Sequence, residues 1–190
     1  MQPSRSDADA RFDRTVDRWF RDLLALDPEQ ATYLGIHDHD RSLADGSRDH
    51  VEAIAAHHAA AMAEMERFDT SELSPERALD RDLIIHESRL AQHQLTERRA
   101  WAGATRAAEH IGGALFPIFT RDYAPLPQRL ESIVARLEAA PRYLAQTRTR
   151  LEAPVRLWVE IDLESTDTLP GFLDSIQAAA RSERVEDGLL

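Results

Sequence analysis

The chain has 190 residues, 43% hydrophobic and 30% charged, with 7 glycines, 9 prolines and no cysteine. That is enough to build a core and bury roughly 70% of the surface of its unfolded form, and the missing cysteines exclude disulfides, thiol catalysis and thiolate zinc sites. All 23 basic residues are arginines, outnumbered by 34 acids, and the net charge of −11 opposes nucleic acid and anionic membranes as partners.

The N-terminus MQPSRSDADARF lacks the apolar core of a signal peptide, and no run approaches the length of about 20 apolar residues that spans a bilayer, so a cytoplasmic location is expected. Residues 1–10 are expected to be disordered. From Arg11 to Leu26, Phe12, Val16, Trp19, Phe20, Leu23 and Leu24 recur at three- and four-residue steps, which predicts a helix with one buried stripe. Asp27-Pro28-Glu29 then supplies an N-cap, a proline at the first helical position and an acid in the first turn of a short second helix, which Gly35 closes as a left-handed cap.

The loop from Ile36 to Ser47 carries His37-Asp38-His39-Asp40, the densest set of metal-ligand residue types in the chain. His37, Asp38 and His39 are the candidate metal ligands, set against the reading of a solvated polar connection. Val51, Ile54, Ala55, His58, Met62, Met65 and Phe68 mark a third helix, with His58 as a partly buried, hydrogen-bonded histidine. Ser74-Pro75-Glu76 opens a fourth, expected to run to about Trp101 with Leu79, Leu83, His86 and Leu90 as its stripe. Its HESRL segment begins like the zinc-protease HExxH motif, but the second histidine position is Leu90. His93 lies roughly 10 Å further along the axis, too far to share an ion with His86.

Residues 102–110 predict a bend or loop. Ile111, Ala114, Leu115, Ile118 and Phe119 predict a helix with a kink at Pro117. Another helix starts near Pro125, with Leu126, Leu130, Ile133, Val134 and Leu137 as its stripe and Pro141 as a kink or tight restart. Between these two helices lies Arg121-Asp122-Tyr123. In one reading Asp122 caps the next helix, Arg121 pairs with an acid and Tyr123 packs. In the other the turn is a binding site at the rim of a cleft, with Arg121 facing a substrate carboxylate. Val155 to Leu163 alternates like a strand, although a lone strand would have no partner. Leu169 to Ala180 is helical, and residues 182–190 are expected to fray. No nucleophile elbow, phosphate loop or dinucleotide fingerprint occurs.

Taken in order, LDPEQATYLGIHDHDRSL, LSPERALDRDL, Trp101, the stretch from Gly112 to Leu151, PVRLWVE and LPGFL resemble the bacterial domain-of-unknown-function family 885. AGATRAAEH after Trp101 departs from its pattern. The resemblance implies an all-α fold, an irregular array of about seven to eight helices without a sheet, with a helix at PVRLWVE. Residues 11–181 would form one helical domain, the N-terminal half of a longer fold. Full-length members resemble zinc metallopeptidases whose HExxH-type motif lies in the C-terminal half, beyond Leu190. The resemblance therefore implies no catalytic residue and no cofactor in this chain, with zinc only in the absent half and a peptide-like substrate for the full-length form. Two functions follow. One is the cleft wall of a metallopeptidase-like hydrolase, a truncated product or fragment whose partner is the complementary half or a second copy. The other is a stand-alone, non-catalytic interaction module.

Overall fold

The computed structural model describes residues 5–182. Parts of the expected disordered N-terminus and frayed C-terminus lie outside that span. Within it the chain is all-α, with seven α-helices and no strand among the described residues. They are α1 (Arg5–Leu26), α2 (Pro28–Tyr33), α3 (Arg48–Met65), α4 (Pro75–Gln92), α5 (Ala107–Thr120), α6 (Leu126–Thr149) and α7 (Arg156–Ser182). The chain falls into two compact units, Met1–Leu26 with Asp49–Ala100, and Asp27–Arg48 with Trp101–Leu190.

In the first unit, α1 begins at Arg5 rather than Arg11, so residues 5–10 are helix and not a disordered tail. The reason is burial: Ala8 joins Phe12 in a cluster with Met65, Phe68, Leu73, Ile84 and Ile85. The Phe12 and Phe68 rings meet edge to face at 5.3 Å, an arrangement that aromatic quadrupoles favour. Ser74 caps α4, its hydroxyl accepting from the Arg77 amide, while its own amide donates to Asp9 at 2.9 Å.

The expected stripe of α4 is turned outward. Ile84, Ile85 and Ser88 are the buried positions, whereas Leu79, Leu83 and Leu90 are 69%, 54% and 46% exposed. His58 is partly buried and 3.3 Å from the Ser88 hydroxyl, as expected. Burial, with His57 adding like-charge repulsion, lowers its pKa below the ordinary 6.5. The helix also stops short of Trp101, passing into a π-helical turn at His93–Arg98 that ends on Arg99 in the left-handed region.

The second unit packs α5 against both α6 and α7, with α2 against α5. Its core gathers Ile111, Leu115 and Ile118 of α5, Leu130 and Ile133 of α6, and Ile176 of α7. Asp27 caps α2, accepting from the Gln30 amide at 2.9 Å. Gly35 at φ +82 closes it through its own bond to Thr32 and that of Ile36 to Ala31. α5 starts at Ala107, before the expected Ile111, and α6 runs through Pro141 without a restart.

The alternating Val155–Leu163 stretch is helix from Arg156 onward, the outcome implied by the family resemblance, and it continues through Pro170 into the last segment as one helix of 27 residues. Its anchors lie one turn apart on one face. Trp158 lies over Gly103, where an added Cβ would come within 2.7 Å of the indole, and Asp162 accepts from the Thr105 hydroxyl and from the Arg106 amide at 2.9 Å. Leu157, Ile161 and Leu163 are left exposed.

Candidate functional site

Two stretches that stand out in the sequence, the HDHD loop and the RDY turn, meet in the second unit at Asp40. Asp40 closes the 3₁₀ turn His37–His39 that follows α2 and is 5% exposed. A buried carboxylate is tolerated only when its lone pairs are filled, and here three donors fill them. The Tyr123 hydroxyl donates at 2.5 Å, the Thr32 hydroxyl at 2.7 Å, and His37 Nδ1 at 2.9 Å. The His37 and Tyr123 rings stack with centroids 3.5 Å apart and planes 9° from parallel. Burial, and then the bond to Asp40, raise the Tyr123 pKa well above the ordinary phenol value, so this hydroxyl stays a donor at neutral pH.

Behind Thr32 lies Arg136, among the largest fully buried side chains and only 1% exposed. Its guanidinium donates to the Thr32 hydroxyl at 2.6 Å, to the carbonyls of Pro28 at 3.2 Å and His39 at 3.4 Å, and to the Ala114 carbonyl on α5. Burial lowers its pKa, while Glu29 and Asp40 pull the other way. Glu29 is itself divided: burial raises its pKa, but His110 and the Ala44 amide at 2.9 Å outweigh that and hold it below 4.5. The chain Arg136–Thr32–Asp40–His37/Tyr123 ties α6, α2, the HDHD turn and the RDY turn into one polar network.

Each RDY residue goes to a different partner. Arg121 Nη1 donates to the Tyr33 carbonyl at 2.6 Å and that of Thr32 at 3.4 Å, completing the C-terminus of α2, with its guanidinium over the Tyr33 ring at 5.3 Å. Asp122 is exposed and accepts from Arg129 at 2.9 Å rather than capping α6, whose N-cap is Pro125. Tyr123 belongs to the Asp40 network. Arg129, 6% exposed, also donates to Ala124 at 2.8 Å, Ile118 at 3.1 Å and Phe119 at 2.6 Å, supplying donors to the open carbonyls at the end of α5.

Arg129 and Arg136 escaped sequence reasoning, which placed only Leu126, Leu130, Ile133, Val134 and Leu137 on the stripe of α6. The signal was present in the phase: 129, 133, 136, 140, 143 and 147 recur at helical spacing, and all six are buried.

The candidate metal set does not converge. His37 Nδ1 is held by Asp40, Asp38 is exposed, and no group of three or more His, Asp or Glu residues placed to hold a metal ion occurs among the described residues. A polar hollow of about 240 Å³ borders His37, Asp40 and Tyr123. A larger groove of about 600 Å³ runs between α5 and α7, lined by Phe116, Leu169, Phe172 and the Gly112–Gly113 backbone, with Arg121 and Tyr33 also bordering it.

Residues 28–186 match the family described as "Bacterial protein of unknown function (DUF885)". No curated protein matches the chain. Among solved structures, one described as "a putative lipoprotein of unknown function" from Shewanella oneidensis is similar, with a TM-score of 0.82 and 23% identity. The similarity covers 94% of this chain and 33% of that one, so this chain spans about a third of the length of the structure it matches and shares its fold over that third.

Proposed function

The chain belongs to the DUF885 family of bacterial proteins of unknown function, and on that premise we propose that it is the N-terminal helical part of a zinc-metallopeptidase-like hydrolase, walling its cleft without contributing a catalytic residue. The observation that carries this reading is the outward stripe of α4. Leucines at i, i+4 and i+11 on one helix face form a pattern that burial rewards, yet Leu79, Leu83 and Leu90 face solvent. Leu157, Ile161 and Leu163 on α7 add a second apolar surface. The matched structure, three times longer than the match, supports the presence of further protein against such faces.

In this reading zinc and the catalytic base reside on the remaining part, which also completes the site for a peptide-like substrate. The buried network around Asp40 and Arg136 keeps the cleft wall rigid. Cytoplasmic residence is part of the proposal; fractionation of cells making the full-length product, with the protein in the membrane fraction, would refute it, and the relative described as a lipoprotein makes that measurement worthwhile.

The test is complementation. Mixed with the remaining part of a longer family member, the chain is expected to form a 1:1 complex in size-exclusion chromatography with light scattering. The complex should unfold at higher temperature than either piece and cleave peptides until a chelator is added. Leu79→Asp with Leu83→Asp should abolish association while leaving the circular dichroism spectrum unchanged. A cooperative monomer that ignores the remaining part would sink the proposal and favour a stand-alone module.

A further inference from the structure

The groove between α5 and α7 is built wholly from the second unit and combines three features. Its volume of about 600 Å³ falls within the range of small-molecule sites, and Phe116, Leu169 and Phe172 give it apolar walls. Its floor is open at Gly113, where an added Cβ would meet nothing within 4 Å. Arg121 borders it with a guanidinium already fixed in place: Nη1 is bonded to Tyr33 and Thr32 and the group lies over the Tyr33 ring. Its Nε and Nη2, which together form a fork matching a carboxylate, have no partner among the described residues. The acid lining the same groove, Glu109, is neutralised by Arg106 through bonds of 2.9 and 2.5 Å.

We infer that this groove binds a small carboxylic acid with a hydrocarbon body, its carboxylate on the Nε–Nη2 edge of Arg121 and its body against Phe116, Leu169 and Phe172. The charge pattern selects an anion, because Arg121 is the cation of the lining and the carboxylate of the lining, Glu109, is paired with Arg106. The hydrogen-bond inventory selects a hydrocarbon body over a peptide. The hydroxyls of Thr120, Ser165 and Thr168 donate to carbonyls of their own helices, and the helical amides are already bonded. An extended peptide laid here would bury carbonyls for which these hydroxyls have no proton left, whereas an acyl or aryl body has none to lose. This inference goes beyond the cleft-wall reading and does not depend on it, since every residue used belongs to the second unit.

Calorimetric titration of the chain with octanoate tests it, with octanamide, hexanoate, decanoate and an N-acetylated tri-leucine bearing a free carboxylate as comparison probes. Octanoate should bind at least tenfold more tightly than octanamide, and affinity should rise about tenfold for each two methylene groups added. Arg121→Ala should remove the preference for the acid. Gly113→Leu fills the groove from a helical position with open space, so it should abolish octanoate binding while the thermal midpoint holds or rises. The inference is overturned by equal binding of octanoate and octanamide, by no binding of either, by tighter binding of the peptide, or by octanoate binding that survives Gly113→Leu. None of these results bears on association with the remaining part of a longer chain, which the complementation assay reads separately.

Discussion

Replacing Asp40 with asparagine changes one atom, yet it should be among the more damaging substitutions in the second unit. Asp40 is 5% exposed and accepts from Tyr123 at 2.5 Å, Thr32 at 2.7 Å and His37 at 2.9 Å. An asparagine keeps one acceptor oxygen and turns the other atom into a donor, so either a donor is left facing another donor or the Thr32 hydroxyl must commit its proton to the Pro28 carbonyl, 3.1 Å away, and accept from the new amide. A stranded buried donor costs about 1–3 kcal/mol, and each bond that survives falls from charge-assisted to neutral strength, about 1 kcal/mol less. The anion near the buried Arg136 also disappears. Together these place Asp40→Asn at about 2–5 kcal/mol, overlapping the range for breaking a buried charged network.

Urea unfolding followed by circular dichroism, extrapolated linearly, measures this loss. Tyr123→Phe alone should cost about 1–2 kcal/mol, and the double variant should fall short of the sum by at least about 1 kcal/mol, because both changes remove the same bond. A cost for Asp40→Asn below about 1 kcal/mol, or strict additivity with Tyr123→Phe, would refute the network as a stabilising unit.

Other expectations can be checked with the same unfolding assay. Arg129→Ala strips donors from the carbonyls of Ile118, Phe119 and Ala124 and should cost about 2–4 kcal/mol; Arg129→Lys, which lacks the fork, should recover less than half of it. Gly46→Ala would place a Cβ 2.7 Å from the Tyr143 carbonyl oxygen, a backbone atom on α6 with little room to move, and should destabilise by about 1–3 kcal/mol. Gly113→Ala, with open space at a helix-interior position, should stabilise by roughly 0.5–1 kcal/mol.

The folded pKa values of His58 and Glu29 both lie below their ordinary values of 6.5 and 4.5. Each therefore contributes stability that is complete above its ordinary pKa and is lost as pH falls through the folded one. Stability should decline first below about pH 6.5 and again below about pH 4.5. His58→Gln should flatten the first decline and Glu29→Gln the second, and a pH profile unchanged by either variant would contradict the assignment.

Periodicity and capping chemistry made most of the helix inventory legible from residues alone. The Asp27 cap, the Gly35 closure, the Ser74 cap and the proline-led start of α6 are local devices, written within four or five residues and read without knowing the rest of the fold. Composition excluded cysteine chemistry for the same reason. What the local pattern could not carry was which side of a helix the tertiary structure covers. The leucine stripe of α4 has the spacing of a buried face, but Ile84, Ile85 and Ser88 occupy the core and the leucines look outward. Val155 to Leu163 alternates in sequence, yet Trp158 over Gly103 and Asp162 on Thr105 and Arg106 fix it as helix.

The site divides along the same line. The HDHD loop and the RDY turn could each be singled out by residue type, because dense polar groups beside a helix boundary are a local property. Their meeting at Asp40, across 83 residues from Tyr123, depends on α5 and α6 folding back past α2. The burial of Arg136 beside Thr32 depends on it equally. Which potential donors become a network, and which apolar rows stay uncovered, is decided by contacts between residues far apart in the chain.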